Sequence, residues 1–324
     1  MHYLITGGAG FIGGHLAESL IAEGQTVTVI DDLSTGLMSN IAALESHPRF
    51  HFCREDIISS ASLDDAAREA DAIIHLAAAV GVELVVHDPV RTIMTNVHGT
   101  ESVLNVAAKY RKRIMIASTS EVYGKSTRAQ FAETDDLLIG SPFNSRWSYA
   151  CSKLLDEFFV MAYFHQYRLP GTIVRFFNTV GPRQTGRYGM VIPRFVAAAR
   201  HHEPLQVYGT GRQTRCFCHV ADTIRAVKAL ILRDDTAGMV FNIGSTASIS
   251  IEDLARKVIA QLGSNSPIVR IPYEQAYEKG FEDMLHRAPD TALIRKVIGW
   301  QPEKSLQEII ADVRESQDRT EDGE

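Results

Sequence analysis

Cysteine is scarce: the chain has four in 324 residues, at positions 53, 151, 216 and 218. They form neither a disulfide framework nor a paired C-x-x-C zinc pattern, and so read as reduced thiols of a core or a cavity wall. Basic charge is not in excess either. Lys and Arg number 33 against 39 Asp and Glu, a formal charge of −6. No block of like charge precedes the acidic tail at 320–324, which disfavours nucleic acid or an anionic membrane as partner. No uncharged apolar run approaches the roughly 18 residues that span a bilayer. There is no H-E-x-x-H, and His201-His202 has no second cluster to join, so no metal is expected. The first six residues already read as a buried strand running into glycines; that leaves no room for a secretory signal and points to the cytoplasm. Internal repeats and low-complexity linkers are lacking.

What is present is a large hydrophobic fraction, 45%, enough to bury a sizeable core. Across the first half, short runs rich in Val and Ile alternate with amphipathic stretches. Strands are expected at 3–6, 27–30, 50–53, 72–76, 113–118 and 172–177, and helices at 11–22, 63–70, 90–110 and 147–167. Continuous apolar strands alternating with helices imply a parallel sheet covered on both faces, a doubly wound α/β domain. From about Gly181 the pattern breaks into Gly- and Pro-containing loops, a helix near 191–201 and mixed α and β pieces. The expected division is a dinucleotide-binding domain over 1–178 and a smaller mixed α/β substrate-binding region over 179–324, some of whose segments return to the first domain. A ligand should sit in the crevice between them.

The first strand runs into Thr6-Gly7-Gly8-Ala9-Gly10-Phe11-Ile12-Gly13, which opens the first helix and sets Gly7, Gly10 and Gly13 in a G-x-x-G-x-x-G pattern. Glycine permits the tight turn and close backbone approach, and the helix N-terminus offers unpaired N–H groups to a pyrophosphate. The second strand ends in Asp31, where a carboxylate can accept hydrogen bonds from a ribose 2′-hydroxyl and would repel a 2′-phosphate. NAD is therefore favoured over NADP. Asp56, after the third strand, is a weaker candidate for the adenine edge and could equally cap a helix.

The fifth strand ends in Ser118-Thr119-Ser120-Glu121-Val122-Tyr123-Gly124, and Tyr149-Ala150-Cys151-Ser152-Lys153 follows within a helical pattern. Spacing of four puts Tyr149 and Lys153 on one helix face. A tyrosine hydroxyl, with a reference pKa near ~10, serves as a base at neutral pH only if a nearby cation favours the phenolate; Lys153 is the candidate.

With these elements the chain resembles the extended short-chain dehydrogenase/reductase family, specifically its NAD-dependent epimerase/dehydratase branch acting on nucleotide sugars. The resemblance spans nearly the whole chain. It includes His75-Leu76-Ala77-Ala78, Thr95-Asn96-Val97-His98-Gly99-Thr100, Arg175-Phe176-Phe177-Asn178, Gly181-Pro182-Arg183, Val207-Tyr208-Gly209, Gln213-Thr214-Arg215 and Ile298-Gly299-Trp300-Gln301-Pro302. It implies a Rossmann sheet and a catalytic set of Tyr149, Lys153, Thr119, Ser120 and Glu121. In that set Tyr149 removes the sugar hydroxyl proton, Lys153 holds the nicotinamide ribose, and Thr119 hydrogen-bonds the reacting oxygen. It implies cofactor contacts at Gly7, Gly10, Phe11, Ile12, Gly13, Asp31, Asp32, Asp56, Ile57, Leu76, Ala77, Ala78, Asn96, Ser118 and Phe176, besides Tyr149 and Lys153. The substrate, a nucleotide-diphosphate sugar expected to be UDP-linked, would meet Asn178, Arg183, Val191, Arg194, Gln206, Tyr208, Arg215 and Arg287. By the same likeness the helices near 91–110 and 147–167 pack against a twin subunit in a homodimer.

Such a scaffold makes a transient 4-keto sugar, and the residues beside Thr119 choose the outcome. The 4,6-dehydratases carry an Asp-Glu pair there; Ser120 stands in the acid's place, which argues against that elimination. Ser-Thr-Ser-Glu-Val-Tyr-Gly and the Arg146-Trp147-Ser148-Tyr149 approach look like the UDP-glucuronate decarboxylases. Gly181-Pro182-Arg183-Gln184 and Gly189-Met190-Val191-Ile192-Pro193 look like the sugar 4-epimerases. The sequence alone favours a UDP-sugar 4-epimerase, with UDP-glucuronate decarboxylation as the alternative and a non-catalytic dinucleotide sensor as the reading from a different class. An NADPH-dependent reductase is opposed by Asp31.

Overall fold

The computed structural model describes residues 1–81, 88–186, 190–276 and 284–321. Strands β1 (His2–Thr6), β2 (Thr26–Ile30), β3 (Phe50–Cys53), β4 (Ala72–His75), β5 (Arg113–Thr119) and β6 (Gly171–Phe176) alternate with helices α1 (Phe11–Ala22), α2 (Leu63–Glu69), α3 (Pro89–Lys109) and α4 (Trp147–Tyr167). Each lies within a residue or two of its expected span. Beyond them come β7 (Thr179–Val180), α5 (Val191–Arg200), β8 (Leu205–Tyr208), β9 (Thr214–Cys216), β10 (Cys218–His219), α6 (Val220–Ile231) and β11 (Met239–Ile243). They are followed by β12 (Ser248–Ser250), α7 (Ile251–Leu262), β13 (Ile268–Ile271), α8 (Tyr273–Ala276), α9 (Ala292–Ile298) and α10 (Leu306–Glu321).

The central sheet has seven strands in the order β11-β6-β5-β4-β1-β2-β3, and each neighbouring pair is parallel. Leu4, Ile5, Ile73, Ile74, Ile114 and Ile116 are fully buried, which is why these strands read as continuous apolar runs rather than alternating ones. Cutting any of them to Ala would cost roughly 2–5 kcal/mol in lost burial and cavity formation. One face carries α1, α6, α9 and Trp300; the other carries α2, α3 and α4. The sheet reverses direction of winding between β1 and β4, so a crevice opens at their C-terminal ends.

The seventh strand was not among those read from the sequence. Met-Val-Phe-Asn-Ile is short, and it lies after the alternation has broken. It pairs with β6 all the same, from Met239 opposite Thr172 to Ile243 opposite Phe176. With α6 and Trp300 it is a segment of the second half that returns to the sheet. Trp300 Nε1 donates to the Asp222 carbonyl at 2.9 Å, and the Asp222 carboxylate accepts from the backbone N–H groups of Glu303 and Lys304. The closing Gly-Trp-Gln-Pro segment is thereby tied to α6 just ahead of α10. A separate core of α5, α7, α10 and β8 stands over the C-terminal edge of the sheet.

Candidate active site

A cavity of about 570 Å³ runs from the glycine loop to α5 and β8. At its first end backbone does most of the shaping. Gly7 has φ +72°, and a Cβ there would lie 2.6 Å from the Ala77 nitrogen; a Cβ on Gly13 would lie 2.3 Å from the Gly7 carbonyl oxygen. No acidic residue occupies the first turn of α1, and no side chain caps its N-terminus. The open N–H groups and the dipole's positive end suit a diphosphate, so these residues fit the pyrophosphate of NAD. Asp31 is buried, with Oδ2 accepting from the Ala9 N–H at 2.9 Å and Oδ1 from Leu33 at 2.8 Å. Burial raises its carboxyl above the ordinary range, while those two donors act against the rise.

Phe11, Ile12, Asp32, Asp56, Ile57, Leu76, Ala77, Ala78, Ser118 and Phe176 also line this end with Gly7, Gly10 and Gly13. Asp56 has a second job, accepting from the Ile58 N–H at 2.9 Å. Asn96 is the exception. It is fully buried behind the wall, its Oδ1 accepting from Ala79 N–H at 2.8 Å and its Nδ2 donating to Ser152 Oγ at 3.0 Å. The expected cofactor contact is corrected to a brace between the loop after β4 and α4. Glu55, overlooked in the sequence, lines the cavity as well. Hydroxyls of Ser60 and Ser62 and the Ser62 N–H hold its carboxyl down to about 2.

At the middle of the cavity Tyr149 and Lys153 face inward one turn apart on α4, beside Thr119, Ser120 and Glu121. Burial, then the charge of Glu121, pushes the Tyr149 phenol above its ordinary value, while a hydrogen bond from Thr119 and the charge of Arg287 oppose the rise. The Lys153 ammonium is engaged by a residue the sequence reading passed over: Nζ donates to Asp156 Oδ2 at 2.7 Å, and both side chains are buried. The i,i+3 spacing was the available signal. Beneath them Ser118 Oγ donates to Glu157 Oε1 at 2.5 Å, and Arg175 grips the same carboxylate with two bonds of 2.9 and 2.7 Å.

Glu121 meets two guanidinium groups. Arg287 Nη1 lies 3.3 Å from Glu121 Oε1, and Arg146 Nη2 lies 3.9 Å from the same oxygen. Arg287 Nη2 also donates to Asn178 Oδ1 at 2.6 Å. Distant residues thus converge on one spot: Asn178 and Glu121, 109 and 166 positions from Arg287, both meet its guanidinium, and Arg146 approaches the same Glu121 oxygen.

The far end is lined by Val191, Arg194, Gln206, Tyr208 and Arg215. Arg194 lies over the Tyr208 ring, 4.7 Å from its centroid, and Nη2 donates to the phenol oxygen at 2.6 Å. Arg215 donates to the Met284 carbonyl at 2.8 Å. Arg183, expected to meet the substrate, turns toward α1 and binds Glu18 with both terminal nitrogens. Two loops around 80–86 and 183–189, expected to meet the sugar ring, fall partly outside the described residues, at 82–86 and 187–189. Cys216 and Cys218 are buried, which pushes their thiols up to about 11 and about 12, so both stay protonated. Among the described residues no helix is long and apolar enough to cross a membrane.

Comparison with known proteins bears on this geometry. The family described as GDP-mannose 4,6 dehydratase matches residues 4–313. A UDP-N-acetyl-alpha-D-glucosaminuronate decarboxylase from Bacillus cytotoxicus is 40% identical over 317 residues, covering 96% of this chain and 97% of that protein. UDP-glucuronic acid decarboxylase 6 of Arabidopsis thaliana is 34% identical over 314 residues, 95% of this chain and 86% of the relative. Among solved structures, a mutant UDP-glucuronic acid 4-epimerase from Bacillus cereus, in complex with UDP-4-deoxy-4-fluoro-glucuronic acid and NAD, has a TM-score of 0.87 at 27% identity. It covers 99% of this chain and 100% of its own.

Proposed function

Because this chain belongs to the GDP-mannose 4,6 dehydratase family of NAD-dependent nucleotide-sugar enzymes, we propose that it decarboxylates a UDP-linked uronic acid. The 4-epimerase reading favoured from sequence gives way to its alternative, since relatives at 40% and 34% identity are UDP-uronate decarboxylases. The observation that carries the proposal is the convergence of Arg146 and Arg287 on Glu121 beside Tyr149. Two planar guanidinium forks at the reacting end offer the paired donors that a sugar carboxylate accepts.

NAD, when bound, takes up and returns the hydrogen of the sugar C4 as a hydride. In this account Tyr149 accepts the C4 hydroxyl proton and later gives it back, with Thr119 fixing the oxygen between them. Lys153, whose ammonium is paired with Asp156 at 2.7 Å, would also hold the ribose hydroxyls. A 4-keto uronate is a β-keto acid: the C5–C6 bond breaks, carbon dioxide leaves, and the bonding pair passes into the C4 carbonyl. Thr119 and the Tyr149 hydroxyl stabilise the charge that develops there. A proton from water, delivered to C5, then restores the ring carbon, so that one solvent proton is consumed for each carbon dioxide released. Ser120 cannot act as the acid that a 4,6-elimination needs. Residues 1–178 with the returning segments would hold the cofactor, and 179–324 would supply most of the substrate wall.

The test is release of carbon dioxide from UDP-N-acetylglucosaminuronate and from UDP-glucuronate, each with NAD. Release from either supports the proposal; release from neither, with a bound substrate, sinks it. A second reading, 4-epimerisation of the uronate, draws on the Bacillus cereus neighbour. A non-catalytic sensor is disfavoured by the Tyr149, Lys153 and Thr119 set.

We also propose a homodimer through α3 and α4, which pack on each other and expose Ile93, Met94, Leu155 and Phe158, the last at 64%. Light scattering should give twice the 35.8 kDa chain mass; a monomeric mass would refute it.

A further inference from the structure

Arg183 sits in the cavity lining, yet its side chain is spent on protein. Nη1 and Nη2 bind the two oxygens of Glu18 at 2.6 and 2.7 Å, a bidentate fork onto α1. Nη1 also donates to the Asn40 carbonyl at 3.1 Å, and Nη2 donates to His15 Nδ1 at 2.8 Å. With Nδ1 accepting, the neutral His15 carries its proton on Nε2, which donates back to the Pro182 carbonyl at 2.9 Å. The Arg183 backbone is held too: its N–H donates to Ser316 Oγ at 2.8 Å on α10. Its φ of +65° is a left-handed conformation that a non-glycine residue keeps only where its surroundings impose it.

The partners lead to the dinucleotide loop. Asn40 Nδ2 donates to the Ala9 carbonyl at 2.8 Å, between Gly8 and Gly10. The His15 ring meets the Phe11 ring edge-on at 5.6 Å, and Phe11 lines the cofactor end. On the other side, Arg183 belongs to the 181–186 loop, whose Gln184 and Thr185 line the cavity toward the substrate wall.

We propose that Arg183 is a positioning residue rather than a phosphate ligand: it clasps the 181–186 loop to α1 and so sets the substrate wall against the dinucleotide loop. This rests on the cavity being shared by NAD and a UDP-sugar. A clasp and a ligand differ in what they require. A clasp needs the planar two-donor fork and its partner Glu18, so lysine cannot replace the arginine. A phosphate ligand needs only positive charge, and would be released by losing Glu18.

The experiment is calorimetric binding of NAD and, separately, of UDP to the full-length wild type, Arg183→Lys, Arg183→Met, Glu18→Gln and the Arg183→Met/Glu18→Gln double variant, with thermal melts of each. The expected result is that both ligands weaken, roughly fivefold or more, in every single variant. The double variant should be no weaker than the worse single one, as for two halves of one contact. UDP binding restored by Arg183→Lys, or unchanged in Glu18→Gln, would overturn the clasp and make Arg183 a phosphate ligand. If Arg183→Met fails to fold, Arg183→Lys and Glu18→Gln decide alone. Binding is read without turnover, so a failed decarboxylation assay leaves this test standing. If wild type binds no UDP, the substrate reading has failed and the NAD arm still judges the clasp.

Discussion

The two ends of the cavity are built by different means. The dinucleotide end is made of backbone: a positive-φ glycine against Ala77, a second glycine against the first, and the open N-terminus of α1. The two glycines and the helix start lie between positions 7 and 13, and a side chain added to either glycine collides with main-chain atoms. The reacting end is made of side chains carried in from distant segments: Glu121, Arg146, Tyr149, Asn178 and Arg287. Its shape depends on ion pairs and hydrogen bonds between loops, with no repeating geometry to enforce it. A binding end that cannot vary beside a reacting end that can is a physical basis for one scaffold hosting several outcomes of 4-keto chemistry.

That contrast can be broken from either side. The largest effect should come from Tyr149→Phe, which removes the proton acceptor and leaves the backbone end alone. Turnover should fall by roughly 10²- to 10⁴-fold while NAD affinity stays at the wild-type value; substantial retained activity would end its assignment as the base. Gly13→Ala attacks the opposite end, where the new Cβ would sit 2.3 Å from the Gly7 carbonyl. NAD affinity measured by fluorescence titration should drop about tenfold or more, since 1.4 kcal/mol of strain already gives that factor. Wild-type affinity would mean the loop is less constrained than its geometry implies.

A smaller effect concerns the layer below both ends. His75 is fully buried between Thr6 Oγ1 at 2.6 Å and Thr100 Oγ1 at 3.1 Å, and burial lowers its pKa from the ordinary 6.5 to about 3. The unfolded chain therefore binds the extra proton first. The stabilisation is complete above 6.5 and is lost as pH falls from there toward 3, so melting temperature should decline across that window. His75→Asn should flatten the decline; an unchanged slope would assign it to other groups.

Legibility followed the same divide. Gly7, Gly10, Gly13 and Asp31 could be placed together at one end of the cavity because local spacing on a strand, a turn and a helix start brings them there. Tyr149 and Lys153 could be placed on one face of α4 because four residues make about one helix turn. Asn96 could not be assigned correctly, since burial of its amide behind Ala79 depends on how α3 and α4 pack. The pairing of Arg287 with Glu121 spans 166 positions, and no period in the sequence encodes it. Arg183 was expected to meet the substrate, but only the fold reveals Glu18 opposite it. The choice between epimerase and decarboxylase fell in the same gap, because strand and loop segments resembling each branch occur in one chain.

The most direct test of the decarboxylase account is proton NMR of the product formed from UDP-N-acetylglucosaminuronate and NAD, run beside UDP-glucuronate. The account predicts a UDP-linked pentose ring whose C5 carries two protons, one of them added where the carboxylate was lost. A uronate with its carboxylate intact and its C4 configuration inverted would contradict it and make the protein a 4-epimerase.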